Sequence, residues 1–191
     1  PPRHTPTRTG AGNKRMGLTR DNYKVAFTFS MLKEGVDADD PADPGGKTRY
    51  GISSVYHPAM WENGPPSWDD AVDFYRREFW QICRCDELPS GIDIVLFDAA
   101  IPSGPGDAIR WLQRALGAKQ DGLFGPKTLA AVQRARPETV IRDITAFRLQ
   151  HYVPLSAYGR FGLGWFRRAI ECYGLGIANI NPGIKEPHDG H

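Results

Sequence analysis

Residues 34–52, EGVDADDPADPGGKTRYGI, restrict the fold more than any other stretch of the chain. Two Asp-Pro steps and the Gly45-Gly46 pair rule out a helix or a long strand there, because proline fixes φ and lacks a donor. The chain must end a helix at about Glu34 and make a shaped, acidic turn. It then enters a short strand or hairpin arm at Thr48–Ser53, with Tyr50 and Ile52 expected on one face and Thr48 in phase with them. Gly45 and Gly46 suit positive φ or a close backbone approach.

Upstream, Val25, Phe29 and Leu32 recur at helical spacing, Asp21 can cap the start, and Gly35 suits the C-terminal stop. Glu34 falls in the last turn, where the helix dipole is negative. The dipole and partial burial both favour the protonated acid. A general acid needs that state near neutral pH, and a surface glutamate is the plain alternative. Asp37, Asp39, Asp40 and Asp43 do not follow the calcium-loop spacing, so no metal is expected.

The segment resembles the signature of glycoside hydrolase family 108 N-acetylmuramidases, roughly E-G-G-Y-x-x-D-P-x-D-P-G-G-x-T-x-x-G-I. Glu34, Gly35, Asp40, Pro41, Asp43, Pro44, Gly45, Gly46, Thr48, Gly51 and Ile52 match in register. Val36 stands for the second glycine, and Asp37 for the usual aromatic residue. The spacing is also similar to the Glu, Asp, Thr arrangement of phage-type lysozymes, with eight residues between Glu34 and Asp43. The resemblance implies Glu34 as the catalytic acid. It implies Asp43 and Thr48 as partners that stabilise an oxocarbenium-like centre or position water. Asp43 as a turn former and Thr48 as a locally bonded strand hydroxyl are the competing readings.

The remaining segments read as helices. Ser67 begins one, with Asp69 and Asp70 in its first turn and Val72, Tyr75, Phe79 and Ile82 as its stripe. Residues 92–101 are apolar apart from Asp93 and Asp98, which reads as a buried helix. The run Phe97-Asp98-Ala99-Ala100-Ile101-Pro102-Ser103-Gly104-Pro105 resembles the family's F-D-A-A-x-N-S-G-P, with Pro102 in place of the asparagine. Residues 108–135 resemble a peptidoglycan-binding helical repeat, L-Q-x-x-L-G…D-G-x-F-G-P-x-T-x-x-A-V. Another helix starts at Pro137 and stops before Pro154, and the final G-R-F-G-L-G-W-F-R-R is similar to the family's closing segment.

The expected fold is mainly α, a lysozyme-like helical fold with a small β-hairpin beside the active site. The division expected is a tail at 1–20, a catalytic region at 21–104, a helical peptidoglycan-binding-like subdomain at 105–176 packed on it, and a tail at 177–191. The implied activity is hydrolysis of the β-1,4 bond between N-acetylmuramic acid and N-acetylglucosamine. Gly45, Gly46, Tyr50, Asp98, Ser103 and Trp165 are implied as substrate-binding residues, and Trp165 has a second reading as a ring that locks the last helix. No cofactor is implied. The alternatives are a wall-binding or virion structural protein with impaired catalysis, and a lytic transglycosylase.

The formal net charge of +2 is too small to argue for nucleic acid. Arg76-Arg77 and Arg167-Arg168 read as solvated helix faces. Cys83, Cys85 and Cys172 read as reduced thiols. With no membrane-length apolar run and no signal-peptide core, stable membrane insertion is not expected; a monomer is expected. It would be made in the bacterial cytoplasm and act on peptidoglycan strands in the periplasm or wall. Holin-type or other non-signal-peptide release, or carriage in a phage-like particle, would bring it there.

Overall fold

In a computed structural model, the structure describes residues 21–34, 37–38 and 46–180; of Glu34, Asp37 and Ala38 it describes the backbone. Seven α-helices and a three-stranded antiparallel sheet are found among these residues. Helix α1 (Asn22–Glu34) leads into β1 (Asp37–Ala38), β2 (Thr48–Arg49) and β3 (Ile52–Ser53). Then come α2 (Trp68–Tyr75), α3 (Ile92–Ser103), α4 (Pro105–Ala115), α5 (Pro126–Val132), α6 (Pro137–Tyr152) and α7 (Tyr158–Ile180).

Helix α3 is the axle. Every residue from Ile92 to Ala100 is buried, so the helix is covered on all sides, by α1, α4, α6 and α7 among others. Its apolar composition requires this, and the expected buried helix is found. The caps also follow the sequence. Asp21 Oδ1 accepts from the Lys24 amide at 3.3 Å, and Ser67 and Asp70 close a reciprocal capping box at the start of α2.

Two stripes are placed differently from expectation. Helix α1 buries Tyr23, Ala26, Phe27, Ser30 and Met31, while Leu32 is 78% exposed and Val25 and Phe29 flank an open groove. After α2 the chain continues as a π-helical turn over Arg76–Trp80. The wider turn rotates later residues backwards, so Trp80 enters the core and Ile82 is left outside. Trp80 packs edge-on against Tyr23 and Phe97, with ring centroids 5.2 and 5.6 Å away.

The repeat-like segment is explained by one buried side chain. Gln113 Nε2 donates to Asp121 Oδ1 at 2.8 Å and to the Leu123 carbonyl at 3.0 Å, while its Oε1 accepts from the Gly122 amide at 2.9 Å. The glutamine thus ties α4 to the Asp-Gly turn before α5. Helix α7 continues through Ile180 with Asn179 buried, so residues 177–180 are helical where a tail was expected to begin. The expected tail at 1–20 and residues 181–191 of the tail expected at 177–191 lie outside the described residues.

Candidate active site

The sheet sits directly after α1. Helix α1 ends at Glu34, and β1 begins three residues later and pairs with β2, with Ala38 opposite Thr48. Thr48 is thereby brought beside the strand that leaves the glutamate-bearing helix end. Asp43 and Gly45 lie outside the described residues.

Between β2 and β3, Tyr50 and Gly51 form a two-residue loop with φ of 51° and 75°. Positive φ at both positions is the signature of a type I′ hairpin, which matches the strand twist. Tyr50 therefore belongs to the turn and not, as expected, to a strand face shared with Ile52. A tyrosine rarely adopts this conformation. It is held by Tyr75, whose hydroxyl donates to the Tyr50 carbonyl at 2.9 Å, and by Trp68, whose ring meets Tyr50 edge-on at 5.5 Å. Gly46 has φ of 65°, and a Cβ there would meet Ser54 Oγ and Val55 Cγ2 at 3.0 Å. The glycine is required by both conformation and space.

Beside the last turn of α1 lies a cavity of about 380 Å³. Lys33, the residue before Glu34, lines it with Pro102 from α3, Tyr152 from α6, and Phe161 and Trp165 from α7. Trp165 contacts Tyr152 at 5.3 Å and stacks on Phe161 at 6.2 Å and 29°. The ring therefore both braces α7 against α6 and presents a face to the cavity, which accommodates the two readings of this residue. Ser103 follows Pro102 at the end of α3 and is half-buried.

Asp98 requires a correction as a substrate contact. It is 0% exposed, and its carboxylate is consumed inside the protein. Ser30 Oγ donates to Oδ1 at 2.8 Å, Arg148 Nη1 to Oδ2 at 2.7 Å and Arg168 Nη2 to Oδ1 at 2.8 Å. Burial by itself would raise this carboxyl, but the two guanidinium charges and their hydrogen bonds outweigh it and hold it below the usual carboxylate range. Asp98 thus joins α1, α3, α6 and α7 beneath the cavity. Arg168 is correspondingly not part of a solvated face, its side chain being 13% exposed. Neither arginine was identified from the sequence. The signal that could have found them is Asp98 itself, since a carboxylate in the middle of an otherwise apolar, buried helix segment needs cationic partners.

A larger, polar cavity of about 550 Å³ lies at the opposite end of α1, beside Asn22, Ser90 and Asp93. Burial raises the Asp93 carboxyl there. The length of the thirteen-residue helix α1, on the order of 18 Å from Asn22 to Glu34, separates this cavity from Glu34. Among the described residues no cluster of side chains suited to a metal ion is found, and no helix is long and apolar enough to cross a membrane. Cys83, Cys85 and Cys172 are buried thiols, and burial pushes Cys85 and Cys172 well up.

Residues 27–104 match the family model for glycosyl hydrolase 108, and residues 107–170 match that of a "Predicted Peptidoglycan domain". The solved structure of SagA from Brucella abortus is 32% identical, with a TM-score of 0.74 over 83% of this chain and 95% of that chain. The chain belongs to the glycosyl hydrolase 108 family. No curated protein matches it. As a member of that family with a peptidoglycan-domain match beside the catalytic match, the protein is a glycoside hydrolase whose polymer is peptidoglycan. The helical, lysozyme-like fold with its small sheet agrees with this assignment.

Proposed function

We propose that the protein is an N-acetylmuramidase that hydrolyses the β-1,4 bond between N-acetylmuramic acid and N-acetylglucosamine, with Glu34 as general acid. The observation that carries this reading is the position of Glu34. It ends α1 inside the family match, next to Lys33 of the aromatic cavity that bears Trp165 and three residues before the strand that pairs with the one bearing Thr48. A helix C-terminus disfavours a carboxylate and so favours the acid form needed to protonate the leaving oxygen. Asp43 is the partner that stabilises the developing positive charge or activates water, with Thr48 helping to hold that water. Gly46 and Tyr50 shape the edge of the sugar cleft from the hairpin side. The protein acts where the polymer is, in the cell wall, for lysis or remodelling.

The chemistry of the products tests this. Purified peptidoglycan is digested and the soluble fragments are examined by mass spectrometry. Fragments ending in reducing N-acetylmuramic acid are expected. Anhydro-muramic ends would assign a transglycosylase instead, and reducing N-acetylglucosamine ends would place the cut at the other glycosidic bond.

A further inference from the structure

The cavity beside the α1 terminus is lined by aromatic and cationic side chains together. Tyr152, Trp165 and Phe161 form a connected row that leads outward, and Phe161 is exposed. Lys33, Arg148 and Arg168 supply the cationic wall. Arg148 is the most informative of them. Its Nε donates to the Tyr152 hydroxyl at 2.6 Å and its Nη1 to Asp98 at 2.7 Å. Its Nη2 is buried and has no hydrogen-bond partner among the described residues. An unmade bond on a buried charged donor is costly, and a ligand acceptor would remove that cost. At the rim, Lys33 reaches Glu171 in a pair whose side chains are 34% and 50% exposed. Such an exposed pair is held weakly, so the ammonium can turn to another anion.

A neutral sugar alone would not use this wall. We infer that the cavity is a subsite for the acidic arm of muramic acid: the sugar lies on Trp165, and a carboxylate on that arm meets Lys33 and the guanidinium edge of Arg148. The inference rests on the peptidoglycan reading and narrows it, because N-acetylglucosamine carries no such arm. Two sources offer the same carboxylate chemistry. One is the free lactyl carboxylate of peptide-stripped strands, and the other is the carboxylates of an attached stem peptide.

Binding by the full chain carrying Glu34→Gln separates recognition from cleavage. Calorimetry is run with three soluble tetrasaccharides of alternating N-acetylglucosamine and N-acetylmuramic acid. One has free lactyl carboxylates, one has them capped as methylamides, and one bears stem peptides. The free carboxylate ligand is expected to bind about tenfold tighter than the methylamide, the effect of one ordinary charge-assisted hydrogen bond. Adding Lys33→Gln should remove most of that difference, whereas adding Trp165→Ala should weaken both ligands alike. Tight binding of the peptide-bearing ligand assigns the stem carboxylates as a source, and binding equal to the methylamide restricts the subsite to the lactyl group. Equal affinity for all three ligands, or a preference that survives Lys33→Gln, would overturn the inference. The activity reading fails separately, if wild type binds the carboxylate ligand yet releases no reducing ends from peptidoglycan.

Discussion

Arg148 Nη1 donates to Asp98 Oδ2 across 2.7 Å, with the two side chains only 1% and 0% exposed. This pair fastens α6 to the central helix directly below the aromatic cavity. Removing one partner leaves a buried charge uncompensated. Asp98→Asn is therefore expected to lower the unfolding free energy by about 3–5 kcal/mol in urea titrations. A loss below about 1 kcal/mol would mean that the carboxylate is not a keystone of the fold.

The same carboxylate gives a pH dependence. Its folded value is depressed, so its contribution is fully present above the unfolded carboxylate value of about 4 and is lost as pH falls through the folded value. Unfolding free energy in wild type should fall below about pH 4, and the Asp98→Asn protein should show a shallower fall there. Parallel curves for the two proteins would contradict the assignment.

Much of the fold was legible because local rules govern it. The run at 92–101, apolar apart from Asp93 and Asp98, reads as a buried helix, and it is one. Asp21, Ser67 and the Gly-Pro step at 125–126 mark helix starts where they are found. The pairing of Asp98 with Arg148 and Arg168 was not legible, because it spans 50 and 70 residues of sequence and no local pattern encodes it. The π-helical turn at Arg76–Trp80 likewise shifted a stripe that ideal periodicity placed elsewhere. The helix end at Glu34 could be read from its motif. The cationic wall could not, since Arg167-Arg168 looks like any surface pair until Asp98 is known to lie beneath it.

Gln113 offers a test of the repeat-like motif. Its amide holds Asp121, Gly122 and Leu123, so Gln113→Ala is expected to cost about 2–4 kcal/mol of stability. Hydrogen exchange should rise first across residues 118–126. An unchanged thermal midpoint would show that the glutamine is dispensable to the turn.

Gly91 tests the packing of α3 on α7. Its φ is 92°, and a Cβ there would lie 2.4 Å from the Gly176 carbonyl oxygen. Gly91→Ala should destabilise the protein by several kcal/mol, roughly the scale of overpacking plus a strained φ. A soluble variant with wild-type stability would refute this contact.

Pro102 lines the cavity where the family pattern carries asparagine. Pro102→Asn restores an amide able to bond a sugar and a backbone donor in the last turn of α3. One added hydrogen bond of about 1 kcal/mol corresponds to a rise of about fivefold in kcat/KM on peptidoglycan. A fall in turnover with stability unchanged would show that the proline suits this cleft better.

Glu34 is proposed to protonate the leaving oxygen of a peptidoglycan glycosidic bond. Release of reducing ends from purified peptidoglycan by wild type and by Glu34→Gln, with pelleting on the same wall as a control, tests it most directly. A loss of at least about a thousandfold in turnover with pelleting unchanged is expected, within the range for removing a general acid. Comparable turnover by the two proteins would rule out Glu34 as the acid and move that role elsewhere in the chain.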